Sequence, residues 1–301
     1  MYLKHFGLTE FPFGLTPDTE FYFELPSHRE ALNVLLIALH NGEGFIKITG
    51  DVGTGKTMLC RKLLSELQTP FITAYIPNPH LTATSLYKAI ADELSIEYAA
   101  DTDDGLLLRK INAFLLTTAA NQQKITLIID EAQAIPLETL EALRLLTNLE
   151  TEKQKLLQII LFGQSELDLL LQQKSIRQLR QRITFSYTLK KLTKQDINDY
   201  IQHRLIVANS INPAMFSKTA INALHFYTNG IPRLINILAH KALLSAYGSG
   251  IQKIGFKQIQ LAAKDTEDTC MRKHPLEYRS QFLLLLLLSL CILVIGKNWV
   301  T

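Results

Sequence analysis

Residues 50–57 read Gly50-Asp51-Val52-Gly53-Thr54-Gly55-Lys56-Thr57, the pattern G-x-x-x-x-G-K-[ST]. The pattern carries weight only between a strand and a helix, and both flanks supply that context. Phe45-Ile46-Lys47-Ile48-Thr49 before it is short and apolar, and Met58 to Leu67 after it has helical spacing. Glycines let backbone N–H groups turn inward around a phosphate, and the following helix adds the positive end of its dipole. Residues 50 to 58, Gly50 through Met58, are therefore the expected phosphate cradle. Lys56 is placed to reach β- and γ-phosphates, and the Thr57 hydroxyl to ligate Mg2+.

Around this loop, between Gly44 and Leu189, apolar runs alternate with longer amphipathic stretches. The runs cover 45–49, 71–76, 125–129, 156–162 and 183–189. Five such strands separated by helical spacers predict an α/β fold, a parallel sheet covered on both faces. From Thr193 onward the pattern is helical over 194–207, 217–228, 232–247 and 256–264, with breaks at Asn212-Pro213, Gly230-Ile231-Pro232 and Tyr247-Gly248-Ser249-Gly250. The expected division is an N-terminal segment packed on the core (1–43), the α/β domain (44–192) and a small all-α domain (193–266). A polar linker (267–281) and a membrane helix (282–300) follow.

Leu127-Ile128-Ile129-Asp130-Glu131 is an apolar strand ending in two carboxylates, 74 positions beyond Lys56. Beside a phosphate loop, Asp130 is placed to hold magnesium and Glu131 to polarise an attacking water as general base. The run 156–162 ends at Gly163-Gln164, which makes Gln164 a candidate γ-phosphate sensor, with helix capping as the alternative. Arg177, Arg180 and Arg182 follow; Arg182 is the candidate finger toward a neighbouring subunit, with solvated charge as the alternative. Gly230-Ile231-Pro232-Arg233 opens a helix, with Arg233 a candidate to swing over the nucleotide. Tyr2, Phe6, Phe11, Phe13, Phe21, Tyr22 and Phe23 are expected to pin the N-terminal segment against the sheet, with an adenine or partner surface as the alternative. The eight histidines form no metal or catalytic pattern.

The 301 residues are 47% apolar and 20% charged with a net charge of +3, which excludes wholesale disorder and a polybasic nucleic-acid binder. Three cysteines far apart offer neither a disulfide framework nor a zinc site. Residues 1–16 lack the layout of a signal peptide, so the N-terminus is expected in the cytoplasm. Phe282 to Gly296 is uncharged and carries six consecutive leucines. With Trp299 at the interface and Lys297 snorkelling, it approaches the roughly 17 residues a membrane helix needs. Arg272, Lys273 and Arg279 before it, against Lys297 beyond, orient the body of the protein to the cytoplasm.

Phosphate loop, Asp-Glu strand, polar sensor, finger and lid arginine occur in the order found in AAA+ ATPases. The opening residues 1–23, Ser27-His28-Arg29-Glu30-Ala31-Leu32, TLIIDEAQ (126–133), LFGQSEL (161–167), LRQRI (179–183) and GIPRLIN (230–236) resemble the ExeA-type secretion and pilus ATPases more narrowly. The resemblance implies an α/β P-loop NTPase of AAA+ type with a five-stranded parallel sheet, a small all-α lid domain and a C-terminal membrane helix. It implies ATP and Mg2+ as cofactors, with Lys56 and Thr57 binding them and Asp130 and Glu131 serving metal and water. Gln164, Arg182 and Arg233 would act as sensor, finger and lid sensor. The implied partners are further copies of the chain, inner-membrane pilus or secretion components and the inner membrane itself. The implied role is a single-pass, membrane-anchored ATPase assisting assembly of a type IV (MSHA-like) pilus or a type II secretion machine. ExeA-type members continue into a peptidoglycan-binding domain, so a chain ending at Thr301 is expected to make no direct wall contact. The alternative is a DNA-acting AAA+ protein, a transposition regulator or initiator-like ATPase. Lys190, Lys191 and Lys194 are too short a basic run to bind nucleic acid alone, and nucleic acid is not an expected partner.

Overall fold

The computed structural model describes residues 2–16, 18–151 and 154–269. In chain order the elements begin α1 (Tyr2–Phe6), α2 (Pro26–His40), β1 (Phe45–Thr49), α3 (Lys56–Glu66), β2 (Phe71–Ile76) and α4 (Ala83–Glu93). They continue α5 (Asp104–Ala120), β3 (Lys124–Ile129), α6 (Leu137–Leu146), β4 (Leu157–Gly163), α7 (Ser165–Leu171), α8 (Arg177–Arg180) and β5 (Phe185–Thr188). The last are α9 (Lys194–Val207), α10 (Lys218–Thr228), α11 (Pro232–Gly248) and α12 (Phe256–Lys264).

The chain divides into two units, one of residues 15–191 and one joining the first fourteen residues to those from Leu192 onward. In the first unit the five strands form a parallel sheet in the order β2-β3-β4-β1-β5. β4 has no exposed residue because both faces of the sheet are covered. Its alternate side chains serve two cores: Leu157, Ile159 and Leu161 pack with residues of α4, α5 and α6, while Ile160 and Phe162 pack with residues of α2 and α3. Removing such a side chain to alanine costs about 2–5 kcal/mol, so this sheet is a rigid base for the loops at its carboxyl edge.

That edge is where the sheet order matters. Because β4 lies between β3 and β1, the segments leaving these three strands stand side by side, at the crevice where open α/β sheets bind ligands. The Gly50 N–H donates to the Gly163 carbonyl at 3.2 Å, joining the start of the loop to the end of β4.

The second unit is helical. Thr193 caps α9 in a reciprocal box with Asp196, and Pro232 sits in the first turn of α11, where its missing N–H leaves nothing unpaired. Gly230 (φ 75°) precedes α11; a Cβ there would meet the Leu192 carbonyl oxygen at 2.2 Å.

The first fourteen residues group with the helical unit: Tyr2 is buried and its hydroxyl pairs with His240 Nδ1 at 2.9 Å, Phe13 stacks edge-on against Phe216, and the Arg204 guanidinium donates to the Pro12 carbonyl. The helical unit offers these aromatics an apolar surface and polar partners for both backbone and hydroxyl. Among the described residues no helix is long and apolar enough to cross a membrane. The expected membrane helix, 282–300, and all but the first residues of the expected linker lie outside the described residues.

Candidate functional site

The phosphate loop turns through two left-handed glycines, Gly53 (φ 78°) and Gly55 (φ 95°), the latter capping α3. A Cβ on Gly55 would meet His28 Nε2 at 2.8 Å, so glycine is required there twice over, by conformation and by space. Lys56 is 5% exposed, and its ammonium donates to the carbonyls of Gly50 at 2.9 Å and Asp51 at 3.0 Å. Burial pulls its pKa down, and the surrounding carboxylates, Glu131 first and then Asp130, Asp51 and Glu166, pull it back up. Thr54 is buried and closes the loop on the Asp51 carbonyl at 2.8 Å. Val52 is exposed, Met58 half-buried, and Asp51 pairs with Lys191 at 2.8 Å.

Two positions carry the oxygen chemistry. The Thr57 hydroxyl donates to Asp130 Oδ2 at 2.8 Å, and the Glu131 N–H donates to Asp130 Oδ1 at 2.9 Å. Burial raises the Asp130 pKa; these two hydrogen bonds oppose the shift, the Glu131 charge adds to it and the Lys56 ammonium opposes it. The set of one hydroxyl and one carboxylate, without nitrogen or sulfur, suits a hard cation such as Mg2+ that takes one or two protein ligands and fills its shell from phosphates and water.

Glu131 is left-handed (φ 50°) and opens a 3-10 turn, Ala132–Ala134. The side chain of Gln164, the residue after β4, donates to Glu131 Oε2 at 3.1 Å, which brings the expected sensor onto the expected base. Gln133, for which no role was expected, reaches the same oxygen at 2.6 Å. His28 likewise carried no expected role, yet it is 3% exposed and packs under Gly55. Both residues sit inside stretches that carried the family resemblance, which was their only signal in the sequence.

The arginines fall differently. Arg182 is half-buried, and its guanidinium donates to Thr147 Oγ1 and Asn148 Oδ1 just past the end of α6. Arg177 and Arg180, on α8, are exposed. Arg233 is exposed on the first turn of α11, in the helical unit.

Comparison with known proteins agrees with this geometry. The AAA domain family matches residues 39–171. General secretion pathway protein A of Aeromonas hydrophila is 44% identical over 263 residues, 87% of this chain and 48% of that protein; the chain thus spans about half its relative's length. Among solved structures, Pyrobaculum aerophilum Cdc6p aligns with a TM-score of 0.62 at 19% identity, covering 82% of this chain and 70% of that one. Aeropyrum pernix ORC2 aligns at 0.60 and 17%, covering 84% and 70%, and Thermotoga maritima RuvB at 0.52 and 18%, covering 79% and 67%. At these identities the likeness is one of fold alone. With its parallel sheet, its glycine loop and Thr57 bonded to Asp130, the chain carries an AAA domain over residues 39–171 and is similar to the general secretion pathway protein A.

Proposed function

We propose that this chain binds ATP with Mg2+ and hydrolyses it as a homo-oligomer, anchored in the inner membrane with its ATPase unit in the cytoplasm. The work of hydrolysis assists assembly of a type IV (MSHA-like) pilus or a type II secretion machine. The observation that carries the reading is the bond from Thr57 to Asp130 beside a buried Lys56. It unites the metal-ligating hydroxyl, the carboxylate and the phosphate-facing ammonium at one sheet edge.

The residues divide the work. Loop N–H groups of residues 50–58 and the Lys56 ammonium hold the phosphates. Thr57 and Asp130 would hold Mg2+, which neutralises phosphate charge when bound. Glu131 takes the proton of the attacking water, and Gln164, hydrogen-bonded to that base, would sense the γ-phosphate. An arginine of residues 177–182 serves a neighbouring copy, and Arg233 acts from the lid. The secretion role is supported by the identity to the Aeromonas protein, and the anchor by the apolar stretch 282–296.

The test uses full-length Glu131→Gln protein, whose amide cannot accept the water's proton. It is expected to bind ATP with wild-type affinity, to lose turnover, and to co-purify from detergent-solubilised membranes with pilus or secretion components when ATP is present. Wild-type turnover in this variant removes Glu131 from the mechanism; recovery of DNA or a transposase instead supports the DNA-acting alternative.

A further inference from the structure

Glu131 faces two side-chain amides, and both meet the same oxygen. Gln133 Nε2 donates to Oε2 at 2.6 Å and Gln164 Nε2 donates to it at 3.1 Å, while Oε1 accepts no hydrogen bond among the described residues. The other end of Gln133 is also engaged: its Oε1 accepts the Gln164 backbone N–H at 3.0 Å. That contact settles which way the amide points. A backbone N–H can only donate, so the oxygen of Gln133 must face Gln164, and its NH2 group is left to face the carboxylate.

Gln133 therefore spans the ends of β3 and β4 and connects Glu131 to the residue after β4 through two bonds of fixed direction. A Cβ added at the neighbouring Gly163 would lie 2.7 Å from Leu167 Cδ2 and only in ordinary contact, at 3.4 Å, with Gln133 Oε1. A carboxylate on three rotatable bonds has no inherent reason to present one oxygen, and here Oε2 is taken twice while Oε1 remains available.

We propose that Gln133 is a positioning residue for hydrolysis: with Gln164 it clamps Oε2 of Glu131 and so assigns Oε1 as the atom that receives the proton of the attacking water. This rests on the reading of Glu131 as general base. Misplacement of a catalytic group by about 1 Å can cost on the order of 10²-fold in rate, so a side chain that touches no substrate can control turnover.

The test compares full-length wild type with Gln133→Glu and Gln133→Leu, measuring kcat, KM, ATP affinity and melting temperature. Gln133→Glu keeps the size of the side chain but loses the donor, and sets one carboxylate against another. Both variants are expected to lose about 10- to 100-fold in kcat, within the range of such misplacements, while KM and ATP affinity stay within about twofold of wild type. Adding Gln164→Leu to either is expected to cost less than the product of the single losses, because the two amides share one oxygen. A kcat near wild type in Gln133→Glu overturns the proposal. So does a loss of ATP affinity parallel to that of kcat, the mark of a merely structural residue. Should Gln133→Leu fail to fold, the isosteric Gln133→Glu decides alone. Absence of turnover in the wild type itself would defeat the ATPase reading and this proposal together, whereas wild-type turnover with an unaffected Gln133→Glu defeats only this one.

Discussion

His28 shows how a single residue can support a site without entering its chemistry. It is buried under the phosphate loop, and its Nδ1 has no hydrogen-bond partner among the described residues. Burial lowers its pKa from 6.5 to about 4, with hydrogen bonds to the backbone of Thr54 and Gly55 opposing the shift. The unfolded chain therefore takes up a proton below pH 6.5 that the folded chain refuses until about pH 4. Stability rises with pH across that window and is lost as pH falls through it, by about 3 kcal/mol in total for an isolated site. Urea unfolding measured from pH 4 to 7 is expected to show this slope, and His28→Gln to flatten it. An unchanged slope in the variant would assign the effect to other groups.

Between elements, Arg182 ties the segment ahead of β5 to the residues that follow α6. Its bonds to Thr147 and Asn148 give it a structural task within its own chain, apart from any action on a neighbour. Loss of these half-exposed hydrogen bonds is worth about 1 kcal/mol, or about 2–4 °C in melting temperature. Arg182→Ala is expected to show that drop, and Arg177→Ala and Arg180→Ala to melt like wild type because their side chains are exposed. Each variant mixed with Lys56→Ala protein then reports the finger: the arginine that acts in trans is the one whose lost turnover is partly restored by the mixture. Wild-type melting in Arg182→Ala would show that the contacts with Thr147 and Asn148 contribute nothing to stability.

For the molecule as a whole, the grouping of the first fourteen residues with the helical unit has a measurable consequence. Tyr2, Phe6, Leu8 and Phe13 are all buried, and the Thr9 N–H donates to the Ala208 carbonyl at 3.0 Å. At about 1.5–3 kcal/mol for each large apolar side chain, deleting residues 2–14 removes several kcal/mol from a small unit. Hydrogen exchange on the truncated chain is expected to rise in α9 to α12 and to remain at its original level in β1 to β5. Equal loss of protection in the sheet would mean that the segment supports both units.

The amino-acid sequence by itself determined the five strands, the order of the helices after Thr193, and the places of Lys56, Thr57, Asp130 and Glu131. These rest on periodicity and on residues adjacent in the chain: β-branched runs bury both faces of a parallel sheet, and the glycine loop is complete within eight positions. What needed tertiary structure was every pairing between distant segments. Gln164 reaches Glu131 and Gln133 only because β3 and β4 are neighbours in the sheet, and His28 meets Gly55 only because α2 packs beside α3. Arg182 finds Thr147 and Asn148 thirty-five and thirty-four positions away. Nothing in the spacing of Tyr2, Phe6 and Phe13 states which unit will cover them. Apolar burial is non-directional, so a sequence states that such side chains will be covered. Which surface covers them is decided by the complementary hydrogen bonds of Pro12, Thr9 and Tyr2, whose partners lie about two hundred residues further on.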